Sequence, residues 1–296
     1  MDHHEKNMTE YETCEDSNGI NHVKENKKEH KCAENELIEK EEEKPVISLK
    51  NISFSYHSRK GETSALKNIS FDVYDREFIC LVGPSGCGKS TLLSMLAGLN
   101  RPESGEIQMY GKTTGYMLQR DYLLNWRNIY DNAALGLEIR HKKTPETEGR
   151  LKKMLGDYGL ADFLKKRPSE LSGGMRQRVA LIRTLALEPD LLLLDEPFSA
   201  LDYQTRLDVC DDVANIIKKE GKTAILVTHD LSEAISMGDR ILMLSGRPAT
   251  VVREIRITFS DGPLTPFQKR KAPEFNAYFT ELWRELKNCQ KLPAGE

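Results

Sequence analysis

Apolar residues follow two different patterns along this chain, and each pattern predicts a different kind of strand. Apolar and polar residues alternate at 46–56 and 65–73, which predicts two half-buried strands joined by a polar turn at 57–64. Uniformly apolar runs predict strands that are buried on both faces of a parallel sheet. Such runs lie at 78–82 and 191–194, and another buried strand is predicted at 223–229.

Helical periodicity and shorter strand-like runs occupy most of the remaining positions. A largely helical stretch at 138–170 is interrupted by turn signals at Thr144-Pro145 and Tyr158-Gly159. The stretch at 266–287 carries an apolar side that we expect to pack on the domain. Further strands are predicted at 106–112, 115–119, 241–244 and 250–255, and further helices at 92–97, 128–137 and 173–186 and up to residue 220.

The first 44 residues differ in composition from the rest of the chain. Residues 1–45 contain 14 acidic and 7 basic side chains and almost no aromatic residues. Such a segment cannot bury enough apolar area to offset its ordering entropy, so we expect a disordered acidic tail at 1–44. The tail holds four of the seven histidines, which leaves metal binding open, although their spacing matches no zinc template.

The composition favours a globular protein over a membrane-spanning or secreted one. Of the 296 residues, 39% are hydrophobic and 30% are charged, which suits one large or two small globular domains. No run approaches the roughly 18 apolar residues of a membrane span, and the charged N-terminus does not look like a secretory signal. The six scattered cysteines indicate free thiols in a reducing compartment, so we expect a cytosolic protein. Beyond residue 45 the charge is nearly balanced, which gives no electrostatic case for nucleic acid.

A glycine-rich loop between the strand at 78–82 and the helix at 92–97 has the composition of a phosphate-binding P-loop. Its three glycines allow successive N–H groups to turn towards phosphate oxygens, and the following helix N-terminus adds positive partial charge. Lys89 would reach the β- and γ-phosphates, and the Ser90 hydroxyl would contact Mg²⁺. An ordinary glycine turn would not require this lysine and serine at this spacing. The loop is Gly83, Pro84, Ser85, Gly86, Cys87, Gly88, Lys89, Ser90 and Thr91.

Cys87 lies inside this loop. Because backbone dipoles surround it, we expect the pKa of its thiol to be lowered. The hypothesis that follows is that alkylation of Cys87 blocks nucleotide binding.

Polar residues follow the buried strands at the edge where parallel sheets bind ligands. Asp195 and Glu196 end the run at 191–194, and His229 ends the strand at 223–229. Asp195 can hold hydrated Mg²⁺, and Glu196 can orient or deprotonate an attacking water. A lone histidine is more often structural, but its position at this edge favours a functional role.

Two other features admit both a structural and a functional interpretation. The residues 171–178 place Ser172, Gly173 and Gly174 at a helix N-terminus, which can bind an anion or be a plain helix cap. Tyr56 ends a strand near the P-loop, where an aromatic ring can stack on adenine or pack on the core.

The order and spacing of these pieces resemble the ATP-binding subunits of ABC transporters over residues 45–260. That family implies an α/β fold: a P-loop NTPase (RecA-like) core, an antiparallel β subdomain and an inserted helical subdomain at about 120–186. A C-terminal helical extension would follow at 261–296. In this chain the motifs are the Walker A loop at 83–91, the Q-loop Gln119, the signature at 171–178, Walker B at 191–196, the D-loop with Asp202, the switch His229 and the adenine-stacking Tyr56.

The resemblance implies ATP hydrolysis with Mg²⁺ between two subunits paired head to tail, expected to be identical copies. Ser90, Asp195 and Gln119 would hold the metal, while Lys89, Glu196, His229 and Gln119 would take part in catalysis. Ser172, Gly173, Gly174 and Asp202 would act on the partner's nucleotide. Hydrolysis would drive a transmembrane permease at the cytoplasmic face of the cell membrane, supplied by an extracytoplasmic binding protein.

Within that family, residues 117–127 and Met175 are similar to the nitrate, sulfonate and taurine importer branch. Asn125 stands where that branch commonly has proline. Related members import thiamine-precursor pyrimidines, which remains an alternative. A non-transport ABC ATPase is a second alternative, although only one cassette and no long coiled coil are present in this chain.

Overall fold

The computed structural model describes residues 44–59 and 61–291, within the compact unit Glu43–Glu296. The tail predicted at 1–44 lies outside the described residues except for Lys44, so its disorder stays a prediction. In the described part of the chain, no helix is long and apolar enough to cross a membrane.

A three-stranded antiparallel sheet comes first in the chain, with strand order β2-β1-β4. It consists of β1 (Ile47–Ser58), β2 (Gly61–Val73) and β4 (Ser104–Met109). The predicted turn at 57–64 is too long, because His57 pairs with Glu62 within the ladder. Polar side chains are compatible with a strand at an exposed position, so their presence alone does not mark a turn.

A six-stranded sheet forms the centre of the domain, with order β5-β6-β7-β3-β8-β9. Its first five strands are parallel and β9 is antiparallel to β8. Residues in β3, β6, β7 and β8 are buried throughout, which confirms the buried strands predicted at 78–82 and 191–194, while the strand predicted at 223–229 ends at Val227. The strands are β3 (Phe78–Val82), β5 (Thr114–Met117), β6 (Leu191–Asp195), β7 (Thr223–Val227), β8 (Arg240–Leu244) and β9 (Val251–Arg256).

Apolar layers cover both faces of this sheet. Alternate residues of β3 enter different layers: Ile79 and Leu81 face the three-stranded sheet and α1, while Cys80 and Val82 face the remaining helices. The helices that flank the sheet are α1 (Lys89–Leu96), α4 (Gly173–Leu185), α5 (Tyr203–Lys219) and α6 (Leu231–Met237).

Two helices occupy the segment between β5 and α4. They are α2 (Ile129–Ile139) and α3 (Pro145–Asp157), followed by 3₁₀ turns at Ala161–Phe163 and Pro168–Glu170. Their starts are set by side-chain caps, since Asn128 accepts from the Asp131 N–H and Thr144 forms a capping box. The helices occur where the sequence predicts them, and the subdomain boundary of about 120–186 stays a prediction.

The C-terminal part forms two helices rather than one continuous stretch at 266–287. They are α7 (Pro266–Lys269) and α8 (Pro273–Lys291). Pro273 begins α8 because proline is tolerated in the first turn of a helix and disrupts its interior. Leu282 and Leu286 of α8 are buried in the core, whereas Trp283 remains exposed.

Candidate active site

The P-loop curves around the ammonium group of Lys89. Lys89 is 6% exposed, and its Nζ donates hydrogen bonds to the carbonyl oxygens of Gly83 (2.8 Å) and Pro84 (2.9 Å). Gly88 has φ 126°, and a Cβ at this position would lie 2.8 Å from Leu66 Cδ2. Only glycine fits there, so the loop shape that the sequence predicts is enforced by both backbone angle and packing.

Asp195 is a buried carboxylate surrounded by hydroxyl groups. The hydroxyl of Ser90 donates to Oδ1 (3.0 Å) and the hydroxyl of Tyr116 donates to Oδ2 (3.2 Å). Burial raises the pKa of Asp195, although both hydrogen bonds act in the opposite direction. No ion pair to Asp195 occurs among residues 44–59 and 61–291. A desolvated carboxylate beside a hydroxyl is a donor set that fits Mg²⁺, which prefers oxygen ligands.

Glu196 directly follows β6 and faces the histidine that follows β7. Glu196 Oε2 lies 3.1 Å from His229 Nδ1. The Glu196 N–H continues the ladder by donating to the Val227 carbonyl (2.9 Å), yet its φ is 44°. A non-glycine residue in this left-handed region is strained, and such strain is concentrated at functional sites.

Gln119 lies beside Glu196 in this structure. Its Nε2 donates to Glu196 Oε2 (3.4 Å) and to Ser199 Oγ (3.3 Å). Within the described part of the chain, no hydrogen bond joins Gln119 to Ser90 or Asp195. The structure therefore groups Gln119 with the predicted catalytic residues rather than with the other predicted metal ligands.

Tyr56 contacts the P-loop through its hydroxyl, which lies 2.9 Å from Thr91 Oγ1. Its ring packs edge-on against Phe54 with centroids 5.0 Å apart. Tyr56 remains 46% exposed, so its ring is accessible to a planar ligand.

The signature residues cap α4 and do not contact the P-loop through any hydrogen bond between described residues. Ser172 Oγ accepts from the Met175 N–H (3.3 Å). A Cβ on Gly174 would lie 2.7 Å from Val209 Cγ2, so this glycine allows α4 to approach α5. Asp202 caps α5 by accepting from the Thr205 N–H (3.0 Å), and this bond lowers its pKa.

Comparison with known proteins identifies the family. The family model described as "ABC transporter" matches residues 66–199. YtlC of Bacillus subtilis, an ABC transporter ATP-binding protein, is 44% identical over 83% of this chain and 97% of its own length. This chain belongs to the ABC transporter ATP-binding proteins. It is accordingly an ATPase with a P-loop NTPase fold that uses ATP and Mg²⁺.

Other relatives and solved structures support the assignment to this ATPase family. The nitrate transport protein NasD of Klebsiella oxytoca is 40% identical over 72% of this chain and 85% of its own length. The taurine import protein TauB of Ruegeria pomeroyi is 39% identical over 73% and 83%. A dimeric bacterial ABC transporter cassette covers 72% of this chain and 99% of its own, with TM-score 0.62 and 30% identity. A dimeric cassette bound to ADP and Pi gives TM-score 0.60 and 28% identity over the same shares.

The prediction that the pKa of the Cys87 thiol is lowered is wrong. Cys87 is 1% exposed, and burial raises the pKa of its thiol more than Lys89 lowers it. Desolvation outweighs the loop dipoles because the thiolate would have to be charged inside the core. Alkylation would first require the loop to open, which removes the physical basis for a reactive Cys87.

Two residues of the ATPase site were not predicted from the sequence. Tyr116 contacts Asp195 because β5 pairs with β6, which only the strand order reveals. Arg247 donates through Nη2 to the Gly86 carbonyl (2.6 Å) from 161 positions away. Motif spacing carries no signal for either contact.

Proposed function

We propose that this ATPase powers import through a separate membrane permease, for nitrate, taurine, another sulfonate or a related small solute. The proposal rests on the relatives NasD and TauB, named for nitrate transport and taurine import. The ATPase would sit peripherally at the cytoplasmic face of the membrane, and an extracytoplasmic binding protein would deliver the solute to the permease.

The observation that carries a hydrolytic role is the cluster at the ends of β6 and β7. Glu196 lies 3.1 Å from His229 and 3.4 Å from Gln119, next to the Ser90–Asp195 pair. A carboxylate held between two polar side chains is suited to orient water beside a phosphate. A nucleotide-binding module without turnover would not require this arrangement.

In this proposal each site residue would have a distinct role. Lys89, inside the P-loop, would contact the β- and γ-phosphates, and Tyr56 would stack on the adenine. Ser90 and Asp195 would hold Mg²⁺, which neutralises phosphate charge when bound. Glu196 would act on water, with His229 and Gln119 responding to the γ-phosphate. The remaining nucleotide contacts would come from the loop residues Gly83, Pro84, Ser85, Gly86, Cys87, Gly88 and Thr91.

A second subunit would complete the site. Ser172, Gly173 and Gly174 lie at a helix N-terminus that makes no hydrogen bond to the P-loop among described residues. In a head-to-tail pair they would meet the partner's nucleotide, with Asp202 nearby, and supply positive partial charge. The similarity to two dimeric cassettes supports this pairing.

Substitution of the proposed catalytic carboxylate tests this function. Glu196→Gln keeps the size of the side chain, so ATP affinity should be retained while turnover falls about 100-fold or more. The variant should also accumulate as an ATP-bound dimer in size-exclusion chromatography. Glu106→Gln, on the exposed face of β4, is the matched control and should behave as wild type. Full ATPase activity in Glu196→Gln would rule out its assigned role.

The same variant tests the link to transport. Tagged Glu196→Gln, loaded with ATP, should recover a multi-spanning permease from solubilised membranes, identified by mass spectrometry. A co-purified binding protein can then be screened with nitrate, sulfonates and pyrimidines. Recovery of soluble partners alone would contradict the importer proposal and favour a non-transport ATPase.

A further inference from the structure

A cleft of about 520 Å³ opens where the central parallel strands begin, at the opposite end of these strands from the nucleotide site. Its walls include the residues that lead into β3, β7 and β8, among them Arg76, Lys222 and Asp239. The P-loop and Glu196 instead follow the carboxyl ends of β3 and β6, and β3 and β6 are parallel to β7, so the two sites lie at opposite edges.

Cationic side chains dominate the lining of this cleft. Arg76, Lys218, Lys222 and Lys269 line it, and Asp239 is the one carboxylate among the lining residues. Asp239 already accepts a hydrogen bond from the Phe78 N–H (2.9 Å).

Three of these cations have no ion pair among the described residues, although Asp190 lies near enough to Lys222, and Asp239 to Lys269, for their charges to interact. Among residues 44–59 and 61–291, Lys218, Lys222 and Lys269 form no ion pair within 4.0 Å. Arg76 reaches only Asp75, at 3.8 Å, in a pair whose side chains are both exposed. Positive charge is therefore concentrated around an open volume.

Lys269 is the most informative member of this group. Its Nζ lies over the Phe259 ring, 5.6 Å from the ring centroid. Burial lowers the pKa of Lys269, and Lys218 lowers it further, although Asp239 acts the other way. Lys269 is half-buried and has no ion-pair partner within 4.0 Å among the described residues, so an anion bound in the cleft would neutralise its ammonium group.

Apolar side chains supply the rest of the wall. Phe78, Ile217, Met237 and Leu264 line the same cleft as the cations. The volume lies within the range of about 300–1,000 Å³ that is typical of small-molecule sites, which are mostly apolar with a few placed polar groups. Phe78, Ile217 and Met237 are at most 8% exposed, so the apolar surface open to a ligand comes mainly from the half-buried Leu264 and the exposed Pro263.

We propose that this cleft binds a compact organic anion that carries two negative groups, carboxylate or sulfonate, on an apolar body. Lys218, Lys222, Lys269 and Arg76 would bind the anionic groups, and Pro263 and Leu264 would contact the body. The proposal does not depend on the import function, since it concerns a second site with its own charges.

Calorimetric titration with 4-sulfobenzoate tests the proposal. The protein is first saturated with Mg·ADP, which fills the P-loop and excludes it as a sulfonate site. The wild type should bind with a Kd below about 1 mM, and Lys269→Ala and Lys222→Ala should each weaken binding about tenfold. A neutral aromatic amide of similar size should not bind.

Lys219→Ala is the matched control. Lys219 neighbours Lys218 on α5 but pairs with Asp157 (3.1 Å) and does not line the cleft, so its removal should leave the affinity unchanged. Thermal unfolding confirms that each variant is folded. Absence of binding at about 10 mM, or equal affinity in Lys269→Ala and Lys219→Ala, overturns the proposal. ATP hydrolysis plays no part in this measurement, so its outcome is independent of the importer tests.

Discussion

At the scale of single residues, Asp190 and Asp195 bracket β6 and experience opposite environments. Asp190 accepts from the Thr113 N–H (2.8 Å) and hydroxyl (2.9 Å), and these bonds lower its pKa. Burial raises the pKa of Asp195. Above its unfolded pKa, ionised Asp190 therefore stabilises the fold, and this contribution is lost as pH falls through its folded pKa. Ionised Asp195 instead costs stability above its folded pKa, and this cost shrinks as pH falls from the folded pKa to the lower unfolded pKa, below which it is gone.

Asparagine substitutions should consequently change stability in opposite directions. Without nucleotide or Mg²⁺ at about pH 8, Asp195→Asn should raise Tm by about 1–4 °C, and Asp190→Asn should lower it by a similar amount. Thermal unfolding at several pH values checks the signs, and both differences from wild type should shrink as pH falls. Asp195→Asn should also lose Mg²⁺-dependent ATPase activity. A lower Tm for Asp195→Asn would contradict the assigned cost of burial.

Cys87 shows what residue-level sequence reasoning omits. The loop dipoles that favour a thiolate are visible from the motif, whereas the burial that opposes it comes from an apolar cluster whose other members, such as Leu66 and Leu244, are distant in sequence. The effect of the loop dipoles on Cys87 could therefore be predicted from the motif, whereas the effect of burial could not.

At the scale of elements, Arg206 ties the start of α5 to the start of α6. Its Nη2 donates to the Leu201 carbonyl (2.9 Å), and its Nη1 and Nε lie 3.5 Å from Asp230 and 3.9 Å from Glu233. Glu233 is buried, accepts from the Thr228 hydroxyl and has a pKa raised by burial. Asp202 caps α5 and His229 directly precedes the cap of α6, so this network holds two residues proposed to act on nucleotide in a fixed relation.

Removal of this guanidinium should leave the buried Glu233 carboxylate without its cation. Arg206→Met should lower the free energy of unfolding by about 2–4 kcal/mol, measured by urea denaturation. The double variant Arg206→Met/Glu233→Gln should recover at least half of that loss, because the uncompensated charge is gone. The surface pair Arg253–Glu281 provides a control, since Arg253→Met should cost less than about 1 kcal/mol. Equal losses in the single and double variants would show that the charges are not coupled.

Buried strands were the elements best predicted from sequence. The runs at 78–82 and 191–194 correspond closely to β3 and β6, because a strand buried on both faces requires apolar residues at every position. The β1–β2 hairpin was predicted too short, because its ends are exposed and polar residues carry no clear period there. Its extent is set by cross-strand pairing, which no single stretch of sequence contains.

At the scale of the whole molecule, the order of the motifs predicted which site residues lie close together. It did not predict the cleft, whose residues are brought together only by the tertiary structure. Lys89, Ser90, Asp195, Glu196 and His229 could be placed at one sheet edge from strand direction. The cationic cleft draws on residues from 76 to 269, and no motif relates them. The resemblance to ABC transporter subunits had already implied that Ser172 acts away from the P-loop of its own chain, and no hydrogen bond joins Ser172 to that loop among the described residues.

This separation predicts how ATPase activity depends on protein concentration. If each chain carries two half-sites, activity without a permease requires two copies to associate around ATP. Specific activity should rise between about 0.1 and about 10 μM protein and then level off, in a steady-state phosphate-release assay. Catalysed turnover that stays constant on dilution over that range would indicate a complete site within one chain or a permanent dimer.

The left-handed backbone at Glu196 has a consequence for laboratory evolution. Its φ of 44° carries a conformational cost that glycine or asparagine would largely avoid. A library of this ATPase screened only for heat resistance should therefore enrich glycine or asparagine at position 196, and asparagine at 195. Both changes would discard the proposed chemistry, so a thermostability screen without a hydrolysis screen would select folded but inactive cassettes.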